Sequence, residues 1–117
     1  MNRIAMLAAA GLVALGAGAA AASAVTPTLV GSVSDPLNIS LTQNGAKVTH
    51  LKAGTYTIVV KDTASDHDFH LTGPGVNKTT TVGGKGTFTW KVTLKKGTYK
   101  YVCDPHASFM KGSFTVS

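Results

Sequence analysis

The sequence predicts an all-β fold, a Greek-key antiparallel β-sandwich of seven to nine short strands. Three observations lead to it. Apolar and polar residues alternate with period two, most cleanly over Phe88-Thr89-Trp90-Lys91-Val92-Thr93-Leu94, which is the spacing of a strand with one face buried. Turn signals built on Gly, Pro, Asn and Asp punctuate the alternating runs. No window keeps a helical period. Frequent short strands separated by such turns are the pattern of a sandwich.

Taken in order, the chain opens with a segment that does not belong to the fold. Met1-Asn2-Arg3 is short and positive, Ile4 to Ala22 is a nearly unbroken apolar run, and Ala22-Ser23-Ala24 offers a small-x-small cleavage pattern. Residues 1–24 therefore read as a signal peptide and residues 25–117 as one exported domain, periplasmic or extracellular. The competing reading is a retained membrane anchor, since about 20 apolar residues span a bilayer; the Ala and Gly content and the cleavage pattern argue for removal. No Cys stands near the cleavage site to carry a lipid.

Within residues 25–117 the strand candidates are Leu29–Val33, Leu37–Leu41, Val48–Leu51, Tyr56–Val60, Lys78–Val82, Phe88–Leu94, Tyr99–Cys103 and Ser113–Val116. The turns between them include Asp35-Pro36, Asn44-Gly45, Gly73-Pro74-Gly75, Gly83-Gly84 and Lys96-Gly97. The runs Leu51-Lys52-Ala53-Gly54-Thr55-Tyr56 and Leu94-Lys95-Lys96-Gly97-Thr98-Tyr99 are near copies. Each resembles a tyrosine corner, in which a Tyr entering a strand hydrogen-bonds the chain that crosses over from the opposite sheet. Phe88, Trp90 and Ile58 are the expected heart of the core.

The chain carries eleven cationic and five acidic residues, a net charge of +6, of which Arg3 falls in the leader. The remaining cations are scattered lysines without a nucleic-acid motif, so the charge points to an acidic protein partner and not to nucleic acid. A single domain this small has a modest core. One cysteine in the whole chain excludes an internal disulfide. A lone thiol in an oxidising compartment must be buried or committed to chemistry.

Cys103-Asp104-Pro105-His106-Ala107-Ser108-Phe109-Met110 supplies that chemistry. It gathers a thiol, an imidazole and a thioether within one loop, and Met110 is the only methionine outside the leader. Thiolate, thioether and imidazole form the donor set that suits copper in both oxidation states, and a second histidine would complete a His₂Cys plane with an axial Met. Asp66-His67-Asp68-Phe69-His70-Leu71 offers two, His67 and His70. Structural zinc draws on paired thiolates and not on Met, and haem attachment would need Cys-x-x-Cys-His. A Cys–His nucleophile lacks any oxyanion or pocket signature. His50 has no such company and reads as a surface histidine.

At these residues the chain resembles the cupredoxins, the plastocyanin, amicyanin and pseudoazurin group of blue-copper electron carriers. The Cys-x-x-His-x-x-x-Met loop and the Tyr-x-Tyr-x-Cys lead-in, Tyr99 to Cys103, carry the likeness, together with the upstream His67-Asp68-Phe69-His70-Leu71 matching a His-Asn-x-His-Phe type of motif. The resemblance implies a cupredoxin-like sandwich and a non-enzymatic function, the transfer of single electrons between redox proteins. It also implies one copper ion held by His67, Cys103, His106 and Met110. The domain would act as a monomer, without stable membrane insertion once the leader is cut. His106 would be the electron port, with Pro105, Ala107, Gly73 and Pro74 framing a docking patch. Two departures stand out. Three residues separate His106 from Met110, and Asp68 replaces the usual Asn, where an anion would favour Cu(II) and lower the potential.

Alternation also selects between the two upstream histidines. In a strand, His67, Phe69 and Leu71 share one face and Asp68, His70 and Thr72 the other. The first set is apolar apart from the histidine and reads as inward; the second is polar and reads as outward. A bulge would reverse the parity.

Overall fold

The computed structural model describes residues 25–117; the expected signal peptide, residues 1–24, lies outside the described residues. Among the described residues, no helix is long and apolar enough to cross a membrane. The described residues form ten strands: β1 (Thr28–Ser34), β2 (Asn38–Gln43), β3 (Ala46–Lys47), β4 (His50–Leu51), β5 (Gly54–Asp62), β6 (His70–Gly73), β7 (Val76–Thr79), β8 (Gly86–Leu94), β9 (Gly97–Val102) and β10 (Lys111–Val116). Two of them are only two residues long, which accounts for the excess over the expected seven to nine.

The strands make two five-stranded sheets, ordered β3-β2-β1-β5-β8 and β4-β10-β9-β6-β7. Most neighbours are antiparallel, but β1 runs parallel to β5 from Thr28↔Thr57 to Val33↔Asp62, and β4 runs parallel to β10. Both sheets are therefore mixed. The parallel pairs join segments separated by long excursions, which leave the chain room to return in the same direction.

Alternation explains which side chains meet. Leu29 and Val33 of β1, Ile58 and Val60 of β5, and Leu94 of β8 point inward from one sheet, and Leu71, Tyr99, Tyr101 and Phe114 point inward from the other. Phe88 and Trp90 are half-buried and only flank this core, because β8 is an edge strand. Phe69 stacks on Tyr101 with centroids 5.5 Å apart, and Tyr99 stacks on Phe114 at 5.3 Å. Both tyrosine corners form. Tyr56 Oη donates to Lys52 O at 2.7 Å. Tyr99 Oη donates to Pro74 O at 2.8 Å and accepts from Lys95 N at 2.9 Å.

The register fixes which loops share an end of the sandwich. Val33 pairs with Asp62, and Val102 pairs with both His70 and Lys111. The β1–β2 turn, the β5–β6 connection and the β9–β10 loop therefore converge. Gly73 and Pro74 lie at the opposite end, beside Tyr99 and Gly97. They cannot frame a patch around His106 as the loop sequence suggests, because β6 carries them a full strand length away.

Candidate metal centre

β9 delivers Cys103 into the converging loops with its side chain inward, and the chain then turns through a short 3-10 helix, Asp104–His106. Pro105 suits the first turn of such a helix because its missing N–H has no partner to lose there. Backbone bonds close the loop: Cys103 N donates to Met110 O at 3.0 Å, and Met110 N donates to His106 O at 2.9 Å. The spacing of three residues between His106 and Met110 is thus the length that returns the chain into β10. Met110 is fully buried.

His67 reaches the same place from the β5–β6 connection and has no exposed surface. Its Nδ1 lies 3.1 Å from His106 Nδ1 and 3.6 Å from Cys103 Sγ, while Cys103 Sγ and His106 Nδ1 are 3.5 Å apart. A point equidistant from the three atoms is about 2.0 Å from each, the length of a metal–imidazole bond. Three soft and borderline donors facing a common point, two of them on fully buried residues, fit a copper ion. Burial pushes the Cys103 thiol up, opposed by backbone hydrogen bonding from Asp68 and His106. A coordinating metal reverses that preference, since a bound thiol is deprotonated outright.

The alternation argument selects the histidine that joins this cluster, but not for the reason it supposed. Residues His67 to Phe69 are irregular, and β6 begins only at His70. Asp68 is buried, not outward. Its Oδ1 accepts from Asp104 N at 2.6 Å and its Oδ2 from Thr79 Oγ1 at 3.3 Å, so it ties the His67 segment to the Cys103 loop. Burial, and then the Asp104 carboxyl, raise Asp68 above the usual carboxylate range.

His70 lies outside the cluster. Its Nδ1 donates to Asp104 Oδ2 at 3.0 Å and its Nε2 to Asn77 Oδ1 at 2.7 Å. Burial disfavours the charged ring, but these two acceptors prevail and raise its pKa, while Asp104 is held low by its bond with Asp68 and by His70. His50, exposed at a sheet edge, bonds Thr115 and Ser117. Sequence reasoning missed Asp35, whose Oδ1 is 3.0 Å from His67 Nε2. An Asp-Pro pair signals only a turn, and nothing local links it to a histidine 32 residues away.

The sequence profile of the copper-binding proteins of the plastocyanin/azurin family matches residues 33–117. Among solved structures, reduced rusticyanin superposes with a TM-score of 0.61 at 22% identity, over 82% of this chain and 82% of that one. A rusticyanin from Thiobacillus ferrooxidans superposes with a TM-score of 0.53 at 23% identity, over 81% of this chain and 79% of that one. No curated protein is significantly similar in sequence. The superpositions establish a cupredoxin fold, and the profile spans both the His67 segment and the Cys103–Met110 loop. The chain belongs to the plastocyanin/azurin family of copper-binding proteins, and its cofactor is one copper ion.

Proposed function

We propose that this chain is a type 1 (blue) copper protein carrying single electrons between redox partners, with His67, Cys103, His106 and Met110 as its ligands. The observation that carries this reading is the triangle of donor atoms, 3.1 to 3.6 Å on a side, held within the sandwich by loops bonded to one another. Bound there, copper supplies one-electron chemistry between Cu(I) and Cu(II), and thiolate-to-Cu(II) charge transfer gives the colour. The protein's part is to keep donor positions the same in both states. The bonds Cys103 N to Met110 O, Met110 N to His106 O and Asp104 N to Asp68 Oδ1 do this, because each joins ligand-bearing segments through backbone groups. Four protein donors leave no position for substrate, so the domain is a carrier and not an enzyme. His106 is half-exposed whereas Cys103 and His67 are buried, which suits it as the port.

The reading extends to the partner. Lys47, Lys100 and Lys111 line a groove of about 450 Å³ that reaches Val102, the residue before Cys103. An acidic redox protein docking in that groove would meet complementary charge. The leader, residues 1–24, would deliver the domain to a periplasmic or extracellular space, where it acts as a monomer.

The test is the visible spectrum of oxidised, copper-loaded protein. An intense absorption in the red that disappears on reduction is expected; its absence sinks the proposal. Cys103→Ser should abolish it without unfolding the sandwich. His67→Ala should lose the blue site and His70→Ala keep it, and the opposite pattern would reassign the upstream ligand.

A further inference from the structure

We propose that Asp35 is a positioning residue for the metal centre. Its carboxylate holds the His67 proton on Nε2, so that Nδ1 faces the metal as a lone pair, and it sets a negative charge one imidazole away from the ion. The inference rests on His67 being a ligand.

Three features of the structure lead to it. The first is the pairing itself: His67 Nε2 and Asp35 Oδ1 are 3.0 Å apart. A carboxylate oxygen only accepts, so the imidazole must be the donor. The neutral ring carries one N–H, and placing it on Nε2 leaves Nδ1 unprotonated where Cys103 Sγ and His106 Nδ1 converge. The reverse tautomer would set the Nε2 lone pair against the carboxylate and a proton into the metal position. The second is burial. The His67 side chain has no exposed surface with Asp35 in place, so the carboxylate and not water is the acceptor at Nε2. The third is how Asp35 is held. It sits in the β1–β2 turn, where Asn38 Nδ2 donates to Asp35 O at 2.9 Å and fixes the turn against β2. Asp66 Oδ1, 3.7 Å from the same nitrogen, is too distant for a hydrogen bond and adds charge of the same sign.

The pairing has two consequences. A histidine ligand whose second nitrogen bonds a carboxylate is oriented and made more basic, and losing such a partner typically lowers metal affinity about ten- to a hundredfold. The added negative charge favours Cu(II) over Cu(I). Since Asp35 is mostly exposed, the substitutions that test this leave the core untouched.

Two variants separate charge from hydrogen bonding. Asp35→Asn keeps an acceptor oxygen and removes the charge; Asp35→Ala combined with Asp66→Ala removes the acceptor together with the neighbouring carboxylate that could take its place. The first measurement uses metal-free protein and reads the His67 tautomer from its ring ¹⁵N shifts. Wild type should carry the proton on Nε2, and the double variant should show a mixture. The second is the copper potential, which should rise in Asp35→Asn. A tenfold loss of preference for Cu(II) reads as about 59 mV for a one-electron couple. A wild-type proton on Nδ1, a double variant with the wild-type tautomer, or an Asp35→Asn potential equal to wild type would overturn the proposal. Wild-type protein that binds copper without turning blue would instead strike at the proposed function, and the metal-free ¹⁵N result would still judge the role of Asp35.

Discussion

Met110 packs with no exposed surface where the ligand loop rejoins β10, and its neighbours fix its backbone through both N–H and C=O. Met110→Leu keeps the volume, so it should cost less than about 1.5 kcal/mol of stability. With Met110 as the proposed axial ligand, the substitution would remove a sulfur donor that supports Cu(II), so the protein should retain copper with a raised potential. Electrochemistry showing no change or a fall would remove Met110 from the axial position. His70 makes a different prediction. Its pKa is raised in the folded protein, so its contribution to stability is fully present below the ordinary histidine value of about 6.5 and is lost as pH rises through the folded value. Asp104, held low, contributes above its ordinary range and loses this as pH falls through its lowered value. The unfolding free energy of metal-free protein, read from urea titrations, should therefore decline as pH rises past about 6.5, by less than about 1 kcal/mol because Asp104 is half-exposed. His70→Ala should flatten that decline. Residues of this kind were unevenly legible. Cys103, His106 and Met110 announce themselves by sitting in one loop. Asp35 acts on His67 only through tertiary placement, and Asp68 looks like a surface residue until its partners on β7 and in the ligand loop are known.

Strands β1 and β9 illustrate what an element contributes beyond pairing. Gly31 lies on the inward face of β1, and the Phe69 ring occupies the space a side chain would take, with Phe69 Cζ 2.9 Å from where a Cβ would stand. Phe69 is two residues from His67 and stacks on Tyr101, two residues before Cys103. Gly31→Ala should therefore destabilise the fold by about 1–3 kcal/mol through overpacking. Adding Phe69→Leu should recover part of the loss, which thermal denaturation of the single and double variants would read; a double variant no better than the single would place the strain elsewhere. Strand positions were largely legible because period-two alternation follows from burying one face, and the two Gly-Thr-Tyr corners marked where β5 and β9 begin. The parallel pairing of β1 with β5 was not, since alternation states which face is buried and not which strand lies alongside. The β5–β6 connection reads as a strand in the sequence because Asp68-Phe69-His70-Leu71 alternates polar and apolar residues, whereas in the structure His67, Asp68 and Phe69 are all buried and irregular.

At the scale of the molecule, an excess of lysine over aspartate surrounds a buried redox centre whose carboxylates gather at one end: Asp35, Asp66, Asp68 and Asp104 all lie in the loops around it. Lys47 of one sheet and Lys100 and Lys111 of the other line the groove nearby. Electron-transfer rates with an acidic partner should fall as salt rises, because the Debye length shrinks from about 10 Å at 0.1 M to about 3 Å at 1 M. Stopped-flow rates independent of ionic strength would remove electrostatic steering and leave the copper site as it stands. The buried cysteine has a practical consequence as well. Cys103 is the only thiol in the chain and has no exposed surface. An alkylating reagent can reach it only when the loops around it part, so the labelling rate of metal-free protein is a clock for local opening, readable by mass one molecule at a time and without any chromophore. Comparing that clock with global unfolding would tell whether the copper-binding end breathes by itself or opens only when the whole sandwich does.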